Sequence, residues 1–121
     1  MHYSELYCLS NFSFLRAASH PQELVRKAAE LGYQALAITD ECSVAGVVRA
    51  YQAISEEQLS IKLIIGCELR LQEQELVVIA PTRRAYAQLC QLITQARHRA
   101  PKGHYQLHLE DIHHLDQCLL I

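Results

Sequence analysis

The sequence has no apolar run that approaches the roughly 20 residues of a transmembrane helix. Residues 1–5 also lack the basic flank and apolar core with which a signal peptide begins. These two absences favour a cytoplasmic protein with no membrane partner. Strong net charge is absent too, because 11 basic residues stand against 13 acidic ones. The chain as a whole is therefore not a basic nucleic-acid binder, although a local basic patch is still compatible with this balance.

Cysteine pairs of the Cys-x-x-Cys type are likewise missing. The five cysteines are odd in number, and most of them lie within apolar segments. We interpret them as reduced core thiols. Cys8 and Cys42 lie near strand ends, but no histidine is fixed beside either one, so a cysteine nucleophile is not indicated.

The 121 residues suffice for one domain, and half of them are apolar. Residues 35–40 hold a continuous apolar run that ends on Asp40, which predicts a strand buried on both faces. Buried parallel strands are typical of α/β folds, whose functional sites lie where the strands end. Asp40 and Glu41 are therefore the first candidates for a site.

The rest of the pattern alternates strands and helices. Ser19 with Gln22, Ser43 and Thr82 are expected to begin three helices, and Gly32 to end the first. Apolar spacing predicts that these helices bury Leu24, Val25, Ala28 and Leu31; Val44, Val47, Val48 and Tyr51; and Ala85, Tyr86, Leu89, Leu92, Ile93 and Ala96. Predicted strands span residues 4–9, 35–40, 61–71, 76–80, 104–109 and 118–121, with an antiparallel pair at 61–80 and a helical turn at 110–116. Phe12 and Phe14 are expected to pack inward.

The last predicted strand, residues 118–121, is apolar, is expected to be buried and has no turn after it. We therefore expect a fragment or a truncated gene product, with the fold continuing beyond Ile121 in a longer protein. Uncovered sheet edges and apolar faces predict that the chain self-associates when it is alone.

Four stretches of the chain carry a family resemblance. They are residues 5–16 (ELYCLSNFSFLR), 20–25 (HPQELV), 37–48 (AITDECSVAGVV) and 65–69 (IGCEL). Together they resemble the N-terminal polymerase-and-histidinol-phosphatase (PHP) domain of bacterial C-family DNA polymerases, in particular the error-prone branch of the polymerase III alpha subunit. The resemblance covers the whole chain but only a small N-terminal part of such a polymerase. It implies an α/β fold, the first part of a distorted, TIM-like β/α barrel, so that residues 1–121 are a partial PHP domain.

The resemblance also implies a metal cluster at the strand ends of active members, and this sequence departs from it. Tyr7 and Leu9 stand where active members have His-x-His, and Arg16 falls at about the position of an acid. Glu41 replaces the histidine of an Asp-His pair. A cation at residue 16 would repel a metal ion.

Two carboxylates of that cluster are retained, Asp40 and Glu68. They are the candidate metal ligands, and we interpret them as vestigial. Because arginine offers a two-pronged donor to carboxylates, we expect Arg16 to form an ion-pair network with them in place of the metal.

Three functions follow from the resemblance. The first is an inactive scaffold within an error-prone DNA polymerase that synthesises DNA in damage tolerance, with no cofactor in this segment and Mg²⁺ in a polymerase domain elsewhere. Its partners would be the remainder of the polymerase chain, DNA through the whole protein, and accessory damage-tolerance proteins. The alternatives are a metal-dependent phosphoesterase and a docking module for polymerase accessory proteins.

The C-terminal third is rich in histidine and arginine. The histidines have no zinc-site spacing, so we expect them on the surface. The basic residues are expected to form a solvated face, and only Tyr86 and Tyr105 lie among them in sequence, which argues against a platform that stacks single-stranded DNA. The residues are His98, His104, His108, His113 and His114, and Arg83, Arg84, Arg97, Arg99 and Lys102.

Overall fold

Residues 2–121 are described by a computed structural model of the chain. The elements are β1 (Ser4–Glu5), α1 (Pro21–Glu30), β2 (Ala35–Ile38), α2 (Val47–Glu57), β3 (Lys62–Leu71), β4 (Gln74–Ala80), α3 (Arg83–His98), α4 (Leu109–Ile112) and β5 (Leu119–Leu120). The strands form one sheet in the order β1-β2-β3-β4-β5. The first three are parallel, and β4 and β5 are antiparallel to their neighbours. The predicted α/β class and the antiparallel pair are confirmed.

All four residues of β2 are buried, as the continuous apolar run predicts. Two apolar cores flank the sheet. In one, Val25 of α1 and Ala50 of α2 pack with Leu36 and Ile38 of β2. In the other, the buried face of α3 covers β3 and β4; its buried members are Ala85, Leu89, Leu92 and Ala96. This face matches the predicted one, except that Tyr86 and Ile93 are only partly buried.

The first helix begins one residue later than predicted. Its N-cap is His20, whose backbone N–H donates to the Glu23 carboxylate over 3.1 Å, so the pair is not Ser19 with Gln22. Pro21 occupies the first helical position, which suits its fixed φ and missing N–H. Gly32 follows the helix at φ +80°, a left-handed conformation that favours glycine, and the predicted end of the helix is confirmed.

The buried face of α2 differs from the prediction. The N-cap is Gly46 and not Ser43, and Val48 and Tyr51 are exposed. Val47 is buried as predicted, but the residues that pack with α1 and the sheet are Ala50 and Ala53, because small side chains let the two helices approach closely. In α1, Leu31 of the predicted stripe is exposed as well, since it lies past the last helical residue.

Gly46 allows the close approach of two neighbours. A Cβ atom at this position would lie 3.0 Å from the Pro21 ring and 3.1 Å from Oδ2 of Asp40. The glycine therefore brings the start of α2 against both the start of α1 and the aspartate that follows β2.

The first strand is shorter than predicted and ends at Glu5. Beyond it, the Thr39 side chain replaces part of the strand ladder. The Thr39 Oγ1 accepts the N–H of Cys8 over 2.9 Å, and the backbone N–H of Thr39 donates to the Cys8 carbonyl over 2.7 Å. The loop that follows turns outward: Phe14 is 83% exposed, and Phe12 is also exposed. The prediction that both rings pack inward is wrong, because the loop uses its serines as inward anchors.

Residues 104–109 do not form the predicted strand. The N–H of Gln106 donates to the carbonyl of Ala96 over 3.0 Å, so this segment runs back along α3 and does not join the sheet. The helical turn expected after it is present as α4. β5 pairs with β4 as a strand, but Leu119 and Leu120 are exposed, so their predicted burial is wrong.

Candidate functional site

The candidate site lies where β2 and β3 run side by side. Parallel pairing places the residues that follow β2 beside the middle of the longer β3. The Glu68 N–H donates to the Asp40 carbonyl over 3.0 Å, and the Cys42 N–H donates to the Glu68 carbonyl over 2.8 Å. The fold therefore brings Asp40, Glu41 and Glu68 to one edge.

Asp40 is fully buried and bound by the 10–13 loop, not by a cation. Its Oδ1 accepts the Ser10 N–H and the Ser13 hydroxyl, each over 2.7 Å, and its Oδ2 accepts the Ser10 hydroxyl over 2.6 Å. The expectation that Asp40 pairs with Arg16 is wrong. The charge is stabilised instead by three donors from two serines, a number that satisfies a buried carboxylate.

Glu68 is the partner of Arg16. The guanidinium contacts both carboxylate oxygens, Nη1 on Oε2 and Nη2 on Oε1, the latter over 3.3 Å. The Tyr7 hydroxyl donates to Oε1 over 2.7 Å. Burial opposes ionisation of Glu68, but the hydrogen bonds from Arg16 and Tyr7 outweigh it and hold the pKa of this carboxyl below its usual value.

The same bonds act on the partners. The hydrogen bond to Glu68, together with burial, raises the pKa of the Tyr7 phenol. The bond to Glu68 also raises the pKa of Arg16, so the guanidinium stays charged. Tyr7 and Arg16, which stand where active family members are expected to hold ligands, thus complete an ion-paired cluster. Leu9, the third such position, is half-buried and supplies no ligand atom.

Glu41 joins this cluster through its own carboxylate. Its Oε2 accepts from Arg16 Nη1 over 3.0 Å, and its Oε1 accepts from the Tyr105 hydroxyl over 2.9 Å. Arg70 lies 3.5 Å from the same Oε1. Burial raises the pKa of the Tyr105 phenol; the hydrogen bond from the Arg70 N–H opposes this shift, and the bond to Glu41 adds to it.

Sequence reasoning missed four contributors to this site: Ser10, Ser13, Arg70 and Tyr105. Both serines lie within residues 5–16. The available signal was that Ser10 and Ser13 flank Phe12. Tyr105 is 64 residues from Glu41, and no local spacing indicates that contact.

A divalent metal does not fit these residues. Within residues 2–121, no group of three or more His, Cys, Asp or Glu side chains is arranged to hold one. The Arg16 guanidinium contacts both Glu41 and Glu68, and each oxygen of Asp40 already accepts a serine hydrogen bond. A metal ion would have to displace a cation and break these bonds.

Other sequence candidates fall outside the site. The five C-terminal histidines are exposed, as predicted: His98, His104, His108, His113 and His114. Burial raises the pKa of Cys8 and of Cys42 to about 11, which makes both thiols poor nucleophiles.

The predicted solvated face of arginines is only partly correct. Arg83 and Arg84 are exposed at the start of α3. Arg99 forms a two-pronged pair with Asp111, whose second contact measures 3.0 Å. Arg97 is half-buried, and its Nη2 donates to the Cys42 carbonyl over 3.1 Å.

Comparison with known proteins places this arrangement in context. Residues 5–120 match the family described as PHP domain. Among curated proteins, the chain is 56% identical over 122 residues to an error-prone DNA polymerase of Vibrio vulnificus and 54% identical over 121 residues to one of Idiomarina loihiensis. The similarity spans 100% and 98% of this chain but 12% of each polymerase. An error-prone DNA polymerase of Pseudomonas aeruginosa is 56% identical over 111 residues, which are 91% of this chain and 11% of that protein.

Two solved structures share the fold. An amidohydrolase from Chromobacterium violaceum superimposes on 78% of this chain, and on 33% of its own, with a TM-score of 0.60 and 23% identity. A putative metal-dependent phosphoesterase from Bifidobacterium adolescentis superimposes on 80% of this chain and 33% of its own, with a TM-score of 0.54 and 19% identity. Each match covers a third of a larger chain, as expected for the first part of a barrel.

Proposed function

This chain belongs to the PHP domain family, and from that premise we propose that it is a structural segment at the N-terminus of an error-prone DNA polymerase. The chain spans 12% of the length of the first curated relatives it matches. In the whole protein, residues 1–121 would be the first part of a PHP domain that continues beyond Ile121. The segment itself would hold no cofactor and perform no hydrolysis.

One observation carries this proposal: the Arg16 guanidinium bridges Glu41 and Glu68 at the strand ends. In active members the family resemblance implies a metal cluster at these strand ends, which would link the strands. Here an arginine, two glutamates and Tyr7 supply the same cohesion by ion pairs and hydrogen bonds. Because Glu68 is buried, replacing the metal by a fixed cation keeps its charge compensated.

The polymerase activity would belong to the remainder of the chain. There, carboxylates and Mg²⁺ would add nucleotides during damage tolerance, DNA would be bound by the whole protein, and accessory damage-tolerance proteins would be further partners. Among residues 2–121, none of the helices is long and apolar enough to cross a bilayer. We propose a cytoplasmic location for the whole protein.

An apolar groove supports the remainder of the chain as a partner. The groove has a volume of about 570 Å³ and runs between β3, the end of β4 and β5. Its lining includes Leu63, Ile65, Ile79, Leu119 and Ile121. Since the relatives are about eight times longer than their match to this chain, we propose that later parts of the barrel cover this groove. Alone, the chain would then self-associate through it, which light scattering measures.

The phosphoesterase alternative is tested by a hydrolysis assay. We expect no release of p-nitrophenol from p-nitrophenyl phosphate with Zn²⁺, Mn²⁺ or Mg²⁺ at any pH from 6 to 9. An active PHP hydrolase serves as the positive control, and Glu68→Gln is the matched variant. Turnover by the wild-type chain that Glu68→Gln abolishes would show that the site is catalytic and that the scaffold proposal is wrong.

A further inference from the structure

Aromatic residues from two distant parts of the sequence lie close together beside the ion-paired cluster. Phe12 and Phe14 of the 10–16 loop and Tyr105 line one cavity together with Arg97 and His104. The cavity has a volume of about 440 Å³, within the range of about 300–1,000 Å³ that small-molecule sites occupy. Rings from two distant segments therefore stand next to a cation.

The charge on Arg97 is not balanced by a carboxylate. Its described contacts are neutral: Nη2 donates to the Cys42 carbonyl over 3.1 Å, Nη1 donates to the His104 carbonyl over 3.3 Å, and the guanidinium lies 5.2 Å from the centre of the Tyr105 ring. No acidic side chain of residues 2–121 lies within ion-pair distance of it. A half-buried guanidinium of this kind is suited to an anionic ligand.

The acid in this cavity does not oppose such a ligand. Glu41 already contacts Arg16 over 3.0 Å and Arg70 over 3.5 Å, so two guanidinium groups compensate its charge. Arg16 and Arg70 also pair with Glu68 and Glu75, so the three guanidinium groups around the cavity, counting Arg97, face three carboxylates. Arg97 is the one of the three that has no carboxylate of residues 2–121 within ion-pair distance.

The 10–16 loop presents Phe14 on a fixed support. Asp40 binds Ser10 and Ser13 within the loop, and the Asn11 N–H donates to the Ser19 carbonyl over 2.8 Å. Phe14 is 83% exposed on this fixed loop, so its ring is accessible to a ligand that stacks on it. A nucleotide offers both matching groups: a phosphate that can pair with Arg97 and a flat base that can stack on an aromatic ring.

We propose that this cavity binds one nucleotide of single-stranded DNA, with the base against Phe14 and the phosphate at Arg97. The proposal rests on the proposed function, in which the whole protein meets DNA. Aromatic stacking accepts any base, so we expect little sequence preference. A protein partner docking on Phe14 is the competing occupant, and it would not respond to the phosphate.

The test is fluorescence anisotropy of a labelled 12-mer of deoxythymidine with the 121-residue chain at low salt. We expect Phe14→Ala to weaken binding about tenfold and Phe14→Trp to retain it, because stacking on one aromatic ring contributes at about this level. Tyr51→Ala is the matched control, since Tyr51 is a 66% exposed aromatic on the outer face of α2. Arg97→Met should reduce the slope of log affinity against log salt by about 0.7, the value for one phosphate of a single strand.

Absence of binding at low salt, or equal weakening by Phe14→Ala and Tyr51→Ala, would overturn the proposal. An unchanged affinity in Phe14→Ala would do so as well and would favour a protein partner for this loop. Circular dichroism on each variant separates loss of binding from loss of fold. Failure here leaves the hydrolysis assay untouched, so the two proposals fail separately.

Discussion

Replacing Asp40 by alanine tests the view that this residue holds a loop and not a metal. The substitution removes the acceptor of three hydrogen bonds of 2.6–2.7 Å and leaves the Ser10 N–H and the hydroxyl protons of Ser10 and Ser13 without their acceptor. A hydrogen bond to a charged group contributes about 1.5–3 kcal/mol, and bonds to one carboxylate are not additive, so we expect a loss of about 4 kcal/mol.

The corresponding change in melting temperature follows from chain length. With an unfolding entropy of about 2.1 cal/mol/K per residue, a chain of 121 residues loses about 4 °C per kcal/mol, so Asp40→Ala should melt about 16 °C lower. Asp40→Asn keeps the volume and two acceptor bonds and should lose about half as much. Urea unfolding followed by circular dichroism measures both.

The control is Asp116→Ala, because the Asp116 carboxylate accepts a 2.6 Å hydrogen bond from the exposed Gln88 side chain at the surface. We expect a loss below about 1 kcal/mol for this variant. If Asp40→Ala and Asp116→Ala have equal stability, the anchoring role is refuted. A chelator should leave the wild-type midpoint unchanged, and a fall in that midpoint on adding chelator would point to a bound metal.

Three further predictions concern neighbouring contacts. Arg16→Met and Glu68→Gln should each destabilise the chain by about 2–4 kcal/mol, and the double variant should lose at least about 1 kcal/mol less than the sum, which a double-mutant cycle measures. The hydrogen bond from Arg99 lowers the pKa of Asp111 to about 2 from 3.8. The stabilisation from this ion pair is therefore present above about pH 4 and is lost as the pH falls from about 4 to about 2. Asp111→Asn should flatten this part of the pH–stability curve. Gly66→Ala places a Cβ 2.7 Å from a carbonyl of the neighbouring strand and should cost more than about 2 kcal/mol, whereas Gly103→Ala meets open space and should cost about 1 kcal/mol for its φ of +88°; equal losses would contradict the steric argument.

Sequence reasoning reached the parts of the fold that short-range patterns determine. The apolar run of β2 and the apolar stripe of α3 are each visible within a short stretch of sequence. Both elements were therefore predicted with nearly correct bounds. It failed where tertiary contacts decide. The apolar spacing of Val48 and Tyr51 suggests a buried face, but contact with α1 selects the alanines of α2 instead.

The site shows the same division. Glu68 and Arg16 were predicted to pair from their types and their positions in the family pattern, and they do. The partners of Asp40 were not found, because serines 27 and 30 residues away reach it only after the loop folds back. For the same reason, no sequence window could place Tyr105 beside Phe14. Local sequence therefore indicated which residues matter, and the fold decided which of them meet.

Metal content tests the central claim most directly, namely that an Arg16-centred ion-pair cluster stands where active PHP domains hold metal. The chain, purified without chelator and dialysed against Zn²⁺ and Mn²⁺, would be analysed by inductively coupled plasma mass spectrometry beside Asp40→Ala. We predict less than about 0.1 metal ion per chain in both proteins. One equivalent in the wild-type chain that is lost in Asp40→Ala would contradict the claim and return Asp40 and Glu68 to the role of metal ligands.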